Sequence, residues 1–178
     1  MKLLKTDFKD LIVIRHNLFL DKRGFFKEIF KKEKLEKETS TKIDFCQENS
    51  FKSHLNVLRG LHFQKEPHAQ SKLISVSLGK ILDIAVDIRK SSETYGKYFS
   101  YVLSAEEHES LFIPKGFAHG YLTLSKTAIV NYKVDNYYNH KAESGIPFND
   151  NFLKINWGVS EEQIIISDKD KNQNNFIW

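Results

Sequence analysis

The stretch Val57–Gln64 reads VLRGLHFQ and sets an arginine, a glycine and a histidine among strand-forming apolar residues. Further along, Lys72, the aspartates Asp83 and Asp87, His119 and Tyr132 each lie inside or beside an apolar run. A polar side chain within a core-forming strand is costly unless it is hydrogen-bonded or used. Imidazole, phenol, carboxylate and ammonium are groups that move protons and hold anions. Several of them carried by apolar strands predict one strand-lined pocket, and an enzyme.

Such residues need strands to position them. Leu73–Leu78 is followed by Gly79-Lys80 and then Ile81–Ile88, which reads as a hairpin with a two-residue turn. Phe99–Leu103, Ser110–Ile113, Phe117–Leu124 and Ala128–Val134 follow at short spacing, separated by turn signals such as Pro114-Lys115-Gly116. Many short strands at this spacing predict a sandwich or small barrel. Alternation puts Asp83, Ala85 and Asp87 on one face and Leu82, Ile84, Val86 and Ile88 on the other. By the same rule His119 shares a face with Phe117 and Tyr121, and Tyr132 shares one with Val130 and Val134. One face is then an apolar wall and the other carries the acid, the imidazole and the phenol. Helix signals are few: a short exposed helix over Phe30–Glu38, and a capping-box match at Ser160–Gln163 before Ile164–Ile166, whose β-branched isoleucines suit a strand better. The chain reads as mainly β with a few short peripheral helices.

The 178 residues are enough for one domain spanning 1–178 with a sizeable core, and no repeat, low-complexity tract or linker divides them. The net charge of +4 suits an anionic ligand. The densest lysines (Lys31, Lys32, Lys34, Lys37) alternate with Glu33, Glu36 and Glu38, which reads as a solvated face and argues against nucleic acid. Cys46 is the one cysteine, so no internal disulfide or cysteine metal cluster can form, and a reducing, cytoplasmic setting is expected. The N-terminal MKLLKTDFKD has too short an apolar run for a signal peptide, and no run has the length of a membrane span.

These motifs resemble the dTDP-4-dehydrorhamnose 3,5-epimerase family, sugar-nucleotide epimerases on a cupin-type double-stranded β-helix (jelly roll). The blocks that carry the resemblance run in order over nearly the whole chain. They are Asp21–Phe26 with Glu28, Gln47-Glu48-Asn49-Ser50, Val57–Gln64, Gln70-Ser71-Lys72-Leu73, Asp83–Arg89 and Ile113–Gly120. Tyr132-Lys133, Tyr137-Tyr138, Glu143–Ile146 and Ser167–Asp170 complete the set.

The resemblance implies inversion of C3 and C5 of a dTDP-4-keto-6-deoxyhexose in dTDP-rhamnose (deoxysugar) biosynthesis, with neither cofactor nor metal. Both carbons lie α to the C4 ketone, so loss of either proton gives an enolate with charge on O4. That chemistry needs a base on one face, an acid on the other and a positive or donor group at O4. By resemblance His62 is the base, Asp170 its carboxylate partner with Asp168 the competitor, Tyr132 the acid, and Lys72 the group at O4. His119 and Asp83 match a second imidazole–carboxylate pair at the sugar end. Arg59 is placed for the diphosphate, where a planar fork outperforms an ammonium. Strict alternation would put Arg59 and His62 on opposite faces, so a bulge at Gly60 is expected to bring both to the pocket. Arg23, Glu28, Gln47, Glu48 and Asn49 match nucleotide contacts, Tyr138 the residue that stacks on the base, and Glu143 and Lys169 further substrate contacts. The family's homodimers, with N-terminal strands reaching into the neighbour, imply that Arg23 and Glu28 serve the partner's pocket.

Some positions depart from the family pattern. Ser71 stands where glycine is usual, Phe148 replaces a usual tryptophan, and the tail KNQNNFIW lacks the usual proline-containing ending. They leave open an epimerase acting at C3 or C5 alone, on a related nucleotide sugar. A metal-dependent cupin would need histidines two residues apart at His62-Phe63-Gln64, where none follows. A non-catalytic sugar-nucleotide-binding cupin would be expected to lose the base or the acid, and both residues are present.

Overall fold

The computed structural model describes residues 1–39 and 41–178. Thirteen strands dominate it: β1 (Lys2–Lys5), β2 (Ile12–Arg15), β3 (Leu18–Asp21), β4 (Gly24–Lys27), β5 (Gln47–His54), β6 (Leu58–Gln64), β7 (Lys72–Leu78), β8 (Lys80–Asp87), β9 (Tyr98–Ser104), β10 (Glu109–Ile113), β11 (Phe117–Thr123), β12 (Thr127–Val134) and β13 (Glu143–Gly145). The helices are α1 (Lys32–Thr39) and the single turn α2 (Asp168–Lys171), with a 3-10 turn at Glu161–Gln163. Two antiparallel sheets result, one ordered β1-β2-β10-β7-β12-β5 and the other β13-β6-β11-β8-β9, with β3 and β4 forming a separate hairpin. This is the expected cupin-type jelly roll. No helix among the described residues is long and apolar enough to cross a membrane.

Alternation builds three apolar layers from these strands. Between the sheets, Ile74, Val76 and Val130 of one meet Ile81, Ala85, Phe117 and Tyr121 of the other. The opposite faces are also covered, which is why so few strand positions are polar on both sides. Leu58, Leu61, Ile84, Val86, Ala118 and Leu122 lie under the C-terminal segment through Ile146, Phe148, Leu153 and Trp157. Ile12, Ile14, Leu73 and Phe112 lie under Leu35 of α1 and Ile43. Phe148 packs well in its place, and its carbonyl accepts a 2.9 Å hydrogen bond from the Trp157 indole.

Several expectations need correction. Leu73–Leu78 and Ile81–Ile88 do not form a hairpin: β7 pairs with β10 and β12, whereas β8 pairs with β9 and β11. Gly79 is the corner where the chain changes sheets, at φ +77, and a Cβ there would run into the Thr127 carbonyl. Two β-rich runs joined by glycine look alike whether the strands pair or part; the decision lies in which other strands are available to pair. The N-terminal strands β1 to β4, implied by the resemblance alone, and the polar strand β5 carry little periodic apolar signal, because they are short or mostly polar. Asp87 does not reach the pocket. It is fully buried at the other end of β8 and accepts hydrogen bonds from the Arg89 guanidinium, Ser92 and Thr94, anchoring the loop that follows.

Candidate active site

Ten residues from both sheets and the C-terminal segment line a cavity of about 220 Å³: Phe51, Arg59, His62, Lys72, His119, Tyr121, Tyr132, Ser167, Lys169 and Asp170.

Its geometry begins at a bulge in β6. His62 pairs with His119 of β11, and Arg59 with Tyr121, so Gly60 and Leu61 together oppose Gly120 alone. The extra residue turns both Arg59 and His62 toward the cavity, while Leu58 and Leu61 both point to the apolar layer outside. Only glycine fits: Gly60 has φ +122, and a Cβ would stand 2.5 Å from the Gly120 Cα and 2.7 Å from the His119 carbonyl. The Gly60 amide does not go unpaired; it donates to Asp170 Oδ2 at 3.1 Å.

Asp170 is 5% exposed and reaches β6 from α2, whose N-cap Ser167 accepts from the Asp170 amide at 3.2 Å. Its Oδ1 lies 2.7 Å from His62 Nε2, whereas Asp168 on the same turn is exposed. Burial pushes the Asp170 carboxyl up, but His62 and the Gly60 amide more than offset this, leaving it below the usual carboxylate range. An ionised Asp170 accepts, so Nε2 of a neutral His62 donates and Nδ1 holds the free lone pair. His119 repeats the arrangement, with Nε2 at 3.0 and 3.1 Å from the two oxygens of fully buried Asp83. Burial holds the His119 imidazole below its ordinary value despite that carboxylate.

The facing sheet supplies Tyr132 and Lys72. Tyr132 stacks on Phe51 at 5.7 Å between centroids and sits opposite Asn49 in the β12–β5 register. Burial raises its phenol, which therefore keeps its proton at neutral pH. Lys72 is 9% exposed, and its Nζ donates to the His62 carbonyl at 3.3 Å, bridging the sheets. Burial lowers its pKa to about 8, while Asp83 and Glu143 pull the other way. Arg59 lies 4.8 Å over the Phe51 ring and donates from Nε to Ser53 Oγ at 3.1 Å.

Glu143, Tyr138, Gln47 and Asn49 are not among the lining residues but join them through Lys169 and Tyr132. Glu143 accepts from Lys169 Nζ at 2.6 Å and from the Tyr138 hydroxyl at 2.8 Å. Together they tie α2 to the loop after β12. Gln47 donates to Asn49 at 2.9 Å.

Three candidates lie elsewhere in this chain. Glu48 alternates with Gln47 and Asn49 and so takes the outer face of β5, where it pairs with Lys133 at 2.6 Å. Arg23 sits at the turn of the β3–β4 hairpin, paired with Asp21 at 2.6 Å and largely exposed. Glu28 follows that hairpin, and it does not line the cavity. Conversely, Phe51, Tyr121 and Ser167 line the cavity without having been singled out. Tyr121 was legible as a face-mate of His119, and Ser167 as the cap before Asp168-Lys169-Asp170. Phe51 was hidden in a strand whose other residues are mostly polar.

Comparison with known proteins places this arrangement. The profile of the family described as dTDP-4-dehydrorhamnose 3,5-epimerase matches residues 5–177. The dTDP-4-dehydrorhamnose 3,5-epimerase of Shigella flexneri is 44% identical over 99% of this chain and 97% of its own. The crystal structure of the corresponding enzyme from Elizabethkingia anophelis superposes with a TM-score of 0.96 at 46% identity, covering 99% of this chain and 96% of that one. An epimerase of Legionella pneumophila, crystallised with dTDP-4-keto-L-rhamnose, gives a TM-score of 0.92 at 38% identity over 98% of this chain and 92% of its own.

Proposed function

The chain belongs to the dTDP-4-dehydrorhamnose 3,5-epimerase family, and from that premise we propose that it is a carbohydrate epimerase inverting C3 and C5 of a dTDP-4-keto-6-deoxyhexose. One observation carries the reading: the imidazole of His62 and the phenol of Tyr132 enter one cavity from opposite sheets, with the Lys72 ammonium beside them. A sugar ring held between the sheets would present one face to each.

His62, with Asp170 behind Nε2, takes the proton from the carbon next to the ketone through Nδ1. The electron pair of that C–H bond moves to O4, where Lys72 stabilises the enolate. Tyr132 then gives its hydroxyl proton to the same carbon from the other side, leaving the configuration inverted. The imidazolium returns its proton to solvent and the phenolate regains one, so no net proton is consumed. Repetition at the second α carbon completes the reaction. Asp170 stabilises the imidazolium and fixes its tautomer, as a buried carboxylate does in other His-based sites. Arg59 holds the diphosphate, and Asn49, Gln47, Tyr138, Glu143 and Lys169 form the nucleotide and sugar rim.

Arg23 and Glu28 act in a second copy of the chain. The hairpin that carries Arg23 exposes Phe19, Leu20, Phe25 and Phe26, each more than half exposed. Such an apolar surface on a projecting hairpin supports an exchanged-strand homodimer. The single, exposed Cys46 suits a reducing cytoplasm.

The deciding experiment is turnover of dTDP-4-keto-6-deoxyglucose in deuterium oxide, followed by NMR of the sugar ring. Deuterium at both C3 and C5 with formation of dTDP-4-dehydrorhamnose is expected. Exchange at one carbon alone would make this a single-site epimerase, and exchange at neither, with binding intact, a non-catalytic binder.

A further inference from the structure

We propose that Ser53 and Tyr121 are positioning residues: their paired hydroxyls hold the Arg59 guanidinium in place to receive the diphosphate. The inference rests on the reading of Arg59 as the diphosphate ligand. Of the chain's four arginines, Arg15, Arg23 and Arg89 each pair with a carboxylate. Arg59 has no carboxylate partner among the described residues; neutral groups hold it instead. Its Nε donates to Ser53 Oγ at 3.1 Å, and its Cζ lies 4.8 Å from the centroid of the Phe51 ring.

This form of support has a consequence for the charge. A carboxylate would fix the side chain and also neutralise it, whereas a hydroxyl and an aromatic face fix it and leave the charge for a ligand. Binding through Nε also keeps the two terminal nitrogens out of any carboxylate pair, and these form the fork that matches two phosphate oxygens.

Ser53 itself is held from behind. It is 2% exposed on β5, and its Oγ lies 3.1 Å from the hydroxyl of Tyr121, which is 3% exposed on β11. The contact links the two sheets at the cavity wall. Tyr121 lies on the regular strand β11 and faces inward with His119; the bulge in β6 sets Arg59 opposite it in register, so guanidinium and phenol both reach Ser53. With one Oγ lone pair engaged by Arg59, the relay Arg59–Ser53–Tyr121 has one hydroxyl proton more than its two internal bonds consume. That proton is available to a bound oxygen.

The test measures binding of dTDP and of inorganic pyrophosphate by calorimetry, with steady-state kinetics alongside. Ser53→Ala should weaken both ligands about ten-fold and raise KM similarly, while kcat changes less than two-fold. Tyr121→Phe, which removes one oxygen, should weaken both about three-fold, and the double variant should bind no worse than Ser53→Ala. Ser53→Thr, which keeps a hydroxyl, should restore most of the affinity. Unchanged affinity in Ser53→Ala overturns the relay, as does a fall in kcat at constant KM. A drop in melting temperature with kcat and affinity declining together also overturns it. If all variants bind alike while catalysing exchange, only the relay fails. If the unmodified protein binds neither ligand and exchanges nothing, the reading of the whole site fails.

Discussion

Arg59 and His62 stand three residues apart on one strand and face the same cavity, a relationship that regular alternation forbids. The bulge at Gly60 reconciles them, and the amide it releases from the ladder is taken up by Asp170, the same carboxylate that holds the His62 ring. One local irregularity thus supplies the face, the spacing and the second anchor of the proposed base.

Gly60→Ala tests that irregularity. The added Cβ collides with backbone on β11 and sits at positive φ, so neither side-chain repacking nor a rotamer change can absorb it. A loss of roughly 2–4 kcal/mol in unfolding free energy is expected by urea titration. Exchange activity at a temperature where the variant remains folded should fall further than stability explains. Full activity would mean the bulge is not needed to align the site.

Asp170→Asn keeps the size of the side chain and removes its charge. The amide no longer stabilises the imidazolium and permits the wrong tautomer of His62. The rate of deuterium exchange at the sugar should drop on the order of 10²–10⁴-fold with dTDP affinity nearly unchanged. Asp168→Asn, on the exposed side of the same turn, serves as the control and should alter exchange by less than two-fold.

Tyr132→Phe separates the two half-reactions. Deprotonation by His62 does not require the phenol, so proton loss with deuterium return from the same face should persist at C5 while inverted product falls at least 10²-fold. NMR of the ring protons distinguishes exchange with retention from inversion. Normal turnover at C5 would remove Tyr132 from the role of acid.

Lys72 predicts the alkaline limb of the pH profile. Its ammonium is the form proposed to stabilise O4, and burial places its pKa at about 8. kcat/KM should therefore decline as pH rises through about 8, and Lys72→Met should abolish turnover at every pH. Unfolding is not the cause of that decline. The folded pKa lies below the ordinary 10.5, so the unfolded chain binds more protons in that interval. This group's contribution to stability therefore rises with pH between the two values. A thermal melt across the same range checks the distinction.

The proposed exchange of hairpins is testable by complementation. Arg23→Ala and His62→Ala should each lose activity as homodimers. Refolded together in equal amounts, they form heterodimers with one pocket that has both residues intact. About a quarter of the unmodified activity should return on statistical mixing. No recovery would mean that Arg23 does not serve the neighbouring pocket.

Much of this protein was legible from residue order alone. The mainly β character was readable from the short strands and their alternation, whereas the cupin-type jelly roll and the family came from the resemblance carried by motifs that recur in a fixed order. His62, Tyr132, Lys72 and Arg59 could be picked out because each is a reactive or charged group in or beside an apolar strand, where its presence needs a reason; Asp170 was implied by the resemblance alone. Face assignments held wherever the strand was regular, as for Asp83, His119 and Tyr132, since period two is a property of the extended backbone itself.

Pairing was another matter. That β7 and β8 part at Gly79 instead of folding on each other depends on hydrogen-bonding partners many residues away, and no local pattern encodes that competition. The same holds for Asp87, which reads like Asp83 in the sequence but lies at the other end of the strand and anchors a loop. Glu48 shows the limit of transferring a motif as a block, because adjacent strand residues face opposite ways and only Gln47 and Asn49 turn inward. The neutral cradle of Arg59, assembled from Phe51, Ser53 and Tyr121 on two different sheets, exists only once the sheets are stacked. Residue order specified which groups could do the chemistry; the meeting of two sheets across a bulged strand decided which of them share a cavity, because such contacts join positions that the chain itself keeps far apart.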